Sequence, residues 1–240
     1  RELGAFLDFL DKEIGKGEYV IFLSADHAAA KNPLYLQSKK LPTDFMLAIP
    51  CLDDLITKLT AKYGKKQWIE HISSSSGTIF LNHKLIREEK LSLSEFQQDV
   101  AEFALECEGV FKAYTAKELH TQNYTEDLVA SGLQKGYNQK RSGDVFFAFN
   151  PGWIPLNADE STKKAKSKGT THGSIFTYDT HVPLLWYGWN IPKGESVKRV
   201  NITDIAPTLA FLLNIALPNA CTGQPIEAIF NKKKIQIVID

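Results

Sequence analysis

Apolar residues recur at helical spacing near the start of the chain, at Leu3, Phe6, Leu7, Leu10 and Ile14, and predict an amphipathic helix over residues 2–14. After the Gly15-Lys16-Gly17 break comes a dense β-branched and aromatic run from Tyr19 to Ala25, which reads as a buried strand. Residues 28–42 have no periodic pattern and contain Pro33 and Pro42, so an irregular loop is expected there. A strand at 44–50 then precedes a helix over about 51–63. Pro50 suits the start of that helix, and Leu52, Leu55, Ile56 and Leu59 form its inner stripe.

The texture changes from residue 66 to 149. Strands at 67–72 and 78–82 flank the turn Ser73-Ser-Ser-Ser-Gly77. A helix opens at Leu93-Ser94, with Ser94 as its N-cap and Phe96, Val100, Phe103, Ala104 and Cys107 facing inward. A strand at 110–114, a helix at 125–133 and a strong strand at 144–149 complete what reads as a compact antiparallel α+β subdomain. His71, His83 and His120 belong to this stretch and read as surface or strand residues. Residues 151–174 read as one long loop, of a length that is often functional. Strands at 181–188 and 197–201 follow, then a helix over 204–213 capped by Thr203, with Pro207 tolerated in its first turn. A last strand is expected beside Lys232–Lys234. No apolar run is long enough to span a bilayer as a helix.

Charge narrows the partners. Lys+Arg and Asp+Glu both number 28, so the formal net charge is zero, and no bulk attraction to nucleic acid or an acidic membrane is expected. Cys51, Cys107 and Cys221 lack CxxC spacing, which argues against a disulfide framework and a cysteine zinc site while leaving room for one disulfide. The candidate chemistry lies elsewhere. Asp26 and His27 directly follow the run ending at Ala25, where open α/β sheets bind ligands. A carboxylate and an imidazole suit zinc or a similar divalent ion. His172, in Gly169-Thr-Thr-His-Gly-Ser174, is a third candidate ligand, and His181 reads as a structural residue opening a strand.

Several segments together resemble one family. Asp204-Ile-Ala-Pro-Thr-Leu-Ala-Phe-Leu-Leu-Asn-Ile-Ala-Leu-Pro218 followed by Gly223 resembles the C-terminal helix-and-loop signature of the alkaline phosphatase superfamily. Ser24-Ala-Asp26-His27 resembles its second-half metal motif. Thr171-His172-Gly173-Ser174 and Tyr178-Asp-Thr-His-Val-Pro-Leu-Leu185 look most like the phosphate-irrepressible alkaline phosphatases, near the nucleotide pyrophosphatase/phosphodiesterases. The resemblance implies an α/β fold: a three-layer α/β/α sandwich, incomplete here, with a small inserted α+β subdomain. On that basis residues 1–65 form a core segment with the Asp-His motif, 66–149 the insert, and 150–240 a core segment with the Thr-His-Gly-Ser motif.

The resemblance also implies a phosphohydrolase with two Zn2+ ions in the intact protein, acting on small phosphate esters through a Thr or Ser phospho-enzyme. Monoesters are expected, with diesters or sulfate esters as further possibilities. Asp26 and His27 would ligate the ion that activates the nucleophile, and His172 the ion at the leaving oxygen. Export to the periplasm or secretion is implied in the same way.

The sequence departs from the family pattern in two places. Alanine stands at Ala28, where the motif has glycine, and no Asp-x-x-x-His pair or recognisable nucleophile is present. The chain therefore reads as the C-terminal part of such an enzyme. By itself it is expected to bind zinc weakly or not at all, to lack activity, and to self-associate or pair with a missing N-terminal part. The alternative is a non-catalytic fragment or a degenerate metal- or phosphate-binding module.

Overall fold

The structure, a computed structural model, describes residues 1–230. In chain order the elements are α1 (Glu2–Glu13), β1 (Val20–Leu23), α2 (Pro33–Ser38), β2 (Phe45–Leu47), α3 (Ala48–Tyr63), β3 (Ile69–Ser73) and β4 (Thr78–Leu81). Next come α4 (His83–Glu88), α5 (Leu93–Leu105), β5 (Val110–Thr115), α6 (Ala116–Thr121), α7 (Leu128–Gly136) and β6 (Val145–Phe149). The last are β7 (Ile154–Leu156), α8 (Glu160–Lys166), α9 (Thr177–Thr180), β8 (Leu185–Gly188) and α10 (Ile205–Leu213). The chain is α/β, as its pattern predicts. It divides into two compact units, Asp26–Val182 and the pair of segments formed by Arg1–Ala25 and the chain from Pro183.

The larger unit is built around a four-stranded sheet of order β3-β4-β6-β5, with antiparallel neighbours throughout. Every residue of β6 is buried because both faces of the sheet are covered. Val145, Phe147 and Phe149 pack with Leu55 and Leu59 of α3 and with Phe96, Val100 and Ala104 of α5. Phe146 and Ala148 point the other way, to Leu119 of α6 and to Val129 and Ala130 of α7. That two-sided burial accounts for the unbroken apolar run, because side chains alternate faces along a strand.

The buried Asp144 fixes the entry to β6. Its Oδ2 accepts the Leu81 N–H at 2.8 Å, and its Oδ1 accepts Gln97 Nε2 at 2.8 Å and lies 2.7 Å from His83 Nε2. His83, at the start of α4, is thus an exposed histidine tethered to Asp144. Separately, β2 and β7 form a parallel pair, Phe45 opposite Ile154.

Side-chain caps set the helix boundaries. Ser92, not Ser94, caps α5, accepting the Glu95 N–H. Asp127 caps α7 through the Val129 and Ala130 N–H groups. Burial pulls the Asp127 carboxyl upward, but Lys112, Tyr114 and the Ala130 N–H outweigh it and hold it at about 2. Within α3, Leu55 and Leu59 are buried as expected, whereas Ile56 is exposed.

Two segments read as irregular contain structure. Residues 28–42 hold α2, capped by the Asn32 side chain, and 151–174 hold β7 and α8. These elements are only three to seven residues long, too short for periodicity to reveal. Two of the three α8 lysines are engaged: Lys163 Nζ lies 3.0 Å from Asp44, and Lys166 Nζ donates to the Asn157 carbonyl at 2.6 Å. Cys51 and Cys107 form a disulfide joining α3 to the chain just after α5, and Cys221 is a free thiol.

In the smaller unit β1 pairs antiparallel with β8, Val20 opposite Gly188 and Leu23 opposite Leu185. The strand is there, but it is not buried: Phe22 and Leu23 are 40% and 45% exposed. Helix α1 also forms where predicted, yet none of its residues is buried. The 204–213 helix is entered through a 3-10 turn in which Asn201, not Thr203, pairs with Asp204. Asp204 Oδ1 accepts the Gln224 N–H, and Thr208 Oγ1 accepts the Ile226 N–H, tying the following loop to α10. A Cβ at Gly223 would sit 2.0 Å from the Thr203 carbonyl oxygen, so this loop admits only glycine there. Residues 197–201 form no strand, and the strand expected beside Lys232–Lys234 lies outside the described residues.

The Cys51–Cys107 pairing predicts a direct chemical outcome. Denatured but unreduced protein should titrate one thiol per chain, rising to three after reduction. Replacing both paired cysteines by alanine should cost about 2–4 kcal/mol in denaturant unfolding, because the unfolded chain regains the freedom of the closed loop.

Candidate metal centre

Asp26 and His27 begin an irregular segment that ends at Asn32, and His172 lies in the stretch between α8 and α9. The two segments are laced together by their backbones. The Ala28 N–H donates to the Asp179 carbonyl at 2.7 Å, and the Ala30 N–H to the Thr171 carbonyl at 3.2 Å. Asn32 Nδ2 donates to the carbonyls of Ser167, at 3.1 Å, and Gly169, while Thr170 Oγ1 donates to the Ala30 carbonyl. Ala28 is not among the non-glycine residues with positive φ, so the alanine that replaces the motif's glycine is accommodated without a left-handed backbone.

This lacing brings His27 and His172 ring to ring, with centroids 3.4 Å apart and planes 11° from parallel. His27 Nδ1 lies 2.7 Å from the Ala28 carbonyl oxygen. A carbonyl can only accept, so Nδ1 is the donor and the neutral ring presents the Nε2 lone pair. Asp26 Oδ2 is 3.8 Å from that Nε2. The pair is open to water, with the Asp26 side chain 89% exposed, and as an ion pair it contributes little to stability.

The donor chemistry suits zinc. The 3.8 Å gap between Nε2 and Oδ2 is within the roughly 4.2 Å that a Zn–N and a Zn–O bond span together. The number of donors is smaller than two four-coordinate ions require, and among the described residues no group of three or more His, Cys, Asp or Glu side chains is arranged to hold a metal.

Beside the stacked rings lies a small cleft of about 10 Å³ whose lining includes His172, Asp179, Ser75, Trp153 and Tyr178, but neither Asp26 nor His27. Ser75 comes from the β3–β4 serine turn, and its carbonyl oxygen approaches Gly173 so closely that a Cβ there would lie 3.1 Å away. Gly173 itself has φ +119°, a conformation that glycine alone adopts readily. His181, expected to open a strand, instead ends α9, its N–H donating to the Thr177 carbonyl.

Asp179 also belongs to this site. It is buried, its Oδ2 accepts the Ser174 N–H at 2.8 Å, and its Oδ1 is buried without a hydrogen-bond partner. A carboxylate within a dozen residues of a candidate ligand was visible in the sequence, but its burial was not.

A family profile described as type I phosphodiesterase / nucleotide pyrophosphatase matches residues 1–175. The chain belongs to this family. It is 32% identical over 234 residues to alkaline phosphatase PafA of Elizabethkingia meningoseptica, covering 97% of this chain and 40% of that protein. A Myroides odoratus protein named a calcium-transporting ATPase is also 32% identical, over 95% of this chain and 40% of its own length. Alkaline phosphatase PhoV of Synechococcus elongatus is 29% identical over 94% and 38%. A crystal structure of wild-type alkaline phosphatase PafA superposes with a TM-score of 0.83, at 32% identity over 96% of this chain and 42% of that one. The type I phosphodiesterase family member described here therefore has the fold of the corresponding part of an alkaline phosphatase. It spans about 40% of the length of the relatives it matches.

The stacked imidazoles give a spectroscopic expectation. In carbon–proton NMR spectra of the six histidines, His172→Ala should move the His27 ring resonances through loss of the neighbouring ring current. The resonances of His71, His83 and His120 should stay in place; an unmoved His27 would contradict the stacking.

Proposed function

We propose that this chain is the C-terminal part of an alkaline phosphatase-type, zinc-dependent phosphoric ester hydrolase whose Thr or Ser nucleophile lies outside these 240 residues. The observation that carries the reading is the juxtaposition of His27 with His172, two residues far apart in sequence whose rings lie 3.4 Å from each other. That spacing is on the scale of the about 3.5–4 Å separating the ions of two-metal sites, so adjacent imidazoles can each serve one ion. In this reading Asp26 and His27 hold the ion on the nucleophile side and His172 the ion on the leaving-group side. When bound, such a pair of ions supplies Lewis-acid stabilisation of the attacking and leaving oxygens.

The contribution of the chain's own residues is orientation. The His27 tautomer is set by the Ala28 carbonyl, leaving Nε2 as the donor atom. The backbone lacing keeps the two imidazole-bearing segments at a fixed separation, so no reorganisation is needed when substrate arrives. Small phosphate monoesters are the substrates we assign, with the alkaline phosphatase names of two relatives as support. We read residues 66–149 as an insertion between the core segments 1–65 and 150–240; the four-stranded sheet and the helices covering it fall largely within that range. Export from the cytoplasm is supported by the Cys51–Cys107 disulfide, which persists in oxidising compartments.

A second reading, a non-catalytic fragment or degenerate binding module, is favoured by arithmetic. Three donors divided between two ions leave each well short of the four that zinc ordinarily takes. For the isolated chain both readings agree on weak zinc binding and no turnover. The purified chain, with or without added zinc, should therefore hydrolyse no p-nitrophenyl phosphate. The same segment within a polypeptide carrying the nucleophile should, and His27→Ala or His172→Ala should then remove at least about 100-fold in kcat/KM. Activity of the isolated chain at enzyme-like rates would overturn the assignment of the nucleophile elsewhere.

The smaller unit supports pairing with further polypeptide. Leu3, Phe6 and Phe9 of α1, Phe22 and Leu23 of β1, and Leu185 and Tyr187 of β8 are all exposed. A set of that size marks an interaction surface. In light scattering the isolated chain should show a mass that rises with concentration. A constant monomeric mass at high concentration would count against the surface being unpaired.

A further inference from the structure

Asp179 stands where the two histidine-bearing segments meet, and it touches each through a different group. Its backbone carbonyl accepts the N–H of Ala28, the residue after His27. Its Oδ2 accepts the N–H of Ser174, two residues after His172. The residue is 4% exposed, and its second oxygen, Oδ1, is buried with no partner. A buried acceptor left unmatched is costly, and carboxylates are retained in such places where a donor or cation answers them. Asp179 and His172 line the same cleft.

Resting on the metal-centre reading above, we propose that Asp179 is a positioning residue for that centre. One oxygen anchors the His172 segment through Ser174. The other accepts the ring N–H that His172 retains when its opposite nitrogen ligates a metal. Metal-bound imidazoles commonly hand their second N–H to a carboxylate, which sets the ring orientation and raises the basicity of the ligating nitrogen. The same residue also pins Ala28, so the distance between the two candidate ligands depends on one buried side chain and its own peptide group.

Two variants of the full 240-residue chain separate this role from general stability. Asp179→Asn keeps the shape and an acceptor for Ser174 but loses the negative charge; Asp179→Ala loses both side-chain acceptors. In the metal-free chain, Asp179→Ala should speed amide hydrogen exchange at Ser174 by about tenfold, the effect of one lost hydrogen bond, and shift the His172 ring nitrogens. In a zinc titration followed on the same ring nitrogens, Asp179→Asn should weaken binding by about 10–100-fold with little change in the unfolding temperature. Unchanged His172 ring signals and Ser174 exchange in the Ala variant, or an unchanged zinc affinity in the Asn variant, would overturn the inference. If zinc leaves the wild-type His27 and His172 signals untouched, the metal-centre reading fails and the ring N–H role fails with it. The metal-free exchange at Ser174 decides the anchoring role in either case.

Discussion

Two main-chain hydrogen bonds, Ala28 to Asp179 and Ala30 to Thr171, join segments from opposite ends of the larger unit. On them depends everything the candidate site can do. Asp179 lies in the single turn of α9, and the other contact residues belong to no strand or helix, so no ladder enforces the pairing. Small residues do the work instead: Ala28, Ala29 and Ala30 let the backbones approach, and the Asn32 amide fills carbonyls that would otherwise be unpaired. Because the link runs through the backbone beside each histidine, chain geometry fixes the separation of the two segments, and the side-chain rotamers then set that of the rings.

That arrangement requires a rigid platform, and the four-stranded sheet supplies one. Central strand β6 is buried on both faces, and Asp144 at its entrance fastens β4, α4 and α5 with a single carboxylate. The Cys51–Cys107 disulfide closes α3 onto the chain after α5 within the same core. The serine turn leaving β3 reaches the His172 segment, with the Ser75 carbonyl against Gly173. A segment that reads as an accessory subdomain thus also forms one wall of the cleft beside the candidate ligand.

The smaller unit shows the opposite balance. Helix α1 has a clear apolar stripe and buries none of it, and β1 leaves Phe22 and Leu23 in solvent. Local propensity and pairing with β8 suffice to form these elements, but the burial that ordinarily stabilises them is missing within the described residues. For a chain that spans about 40% of its relatives, such faces are where further polypeptide would find its apolar contacts.

The sequence alone determined the α/β class, most of the longer elements and the identity of the three candidate ligands. Periodicity over ten or more residues, and short motifs such as Asp26-His27 and Thr171-His172-Gly173-Ser174, are local properties that survive without coordinates. Short elements such as α2, β7 and α8 escaped because a few residues cannot establish a period. Ser92 took the cap expected of Ser94 because capping depends on which N–H groups remain free, which backbone geometry sets. Only the tertiary structure decided that His27 and His172 stack, that Cys51 pairs with Cys107, and that Asp179 is buried with one oxygen unmatched. Each of these is a relation between residues distant in the chain, and distance in space is fixed by packing and loop closure, which no local pattern encodes.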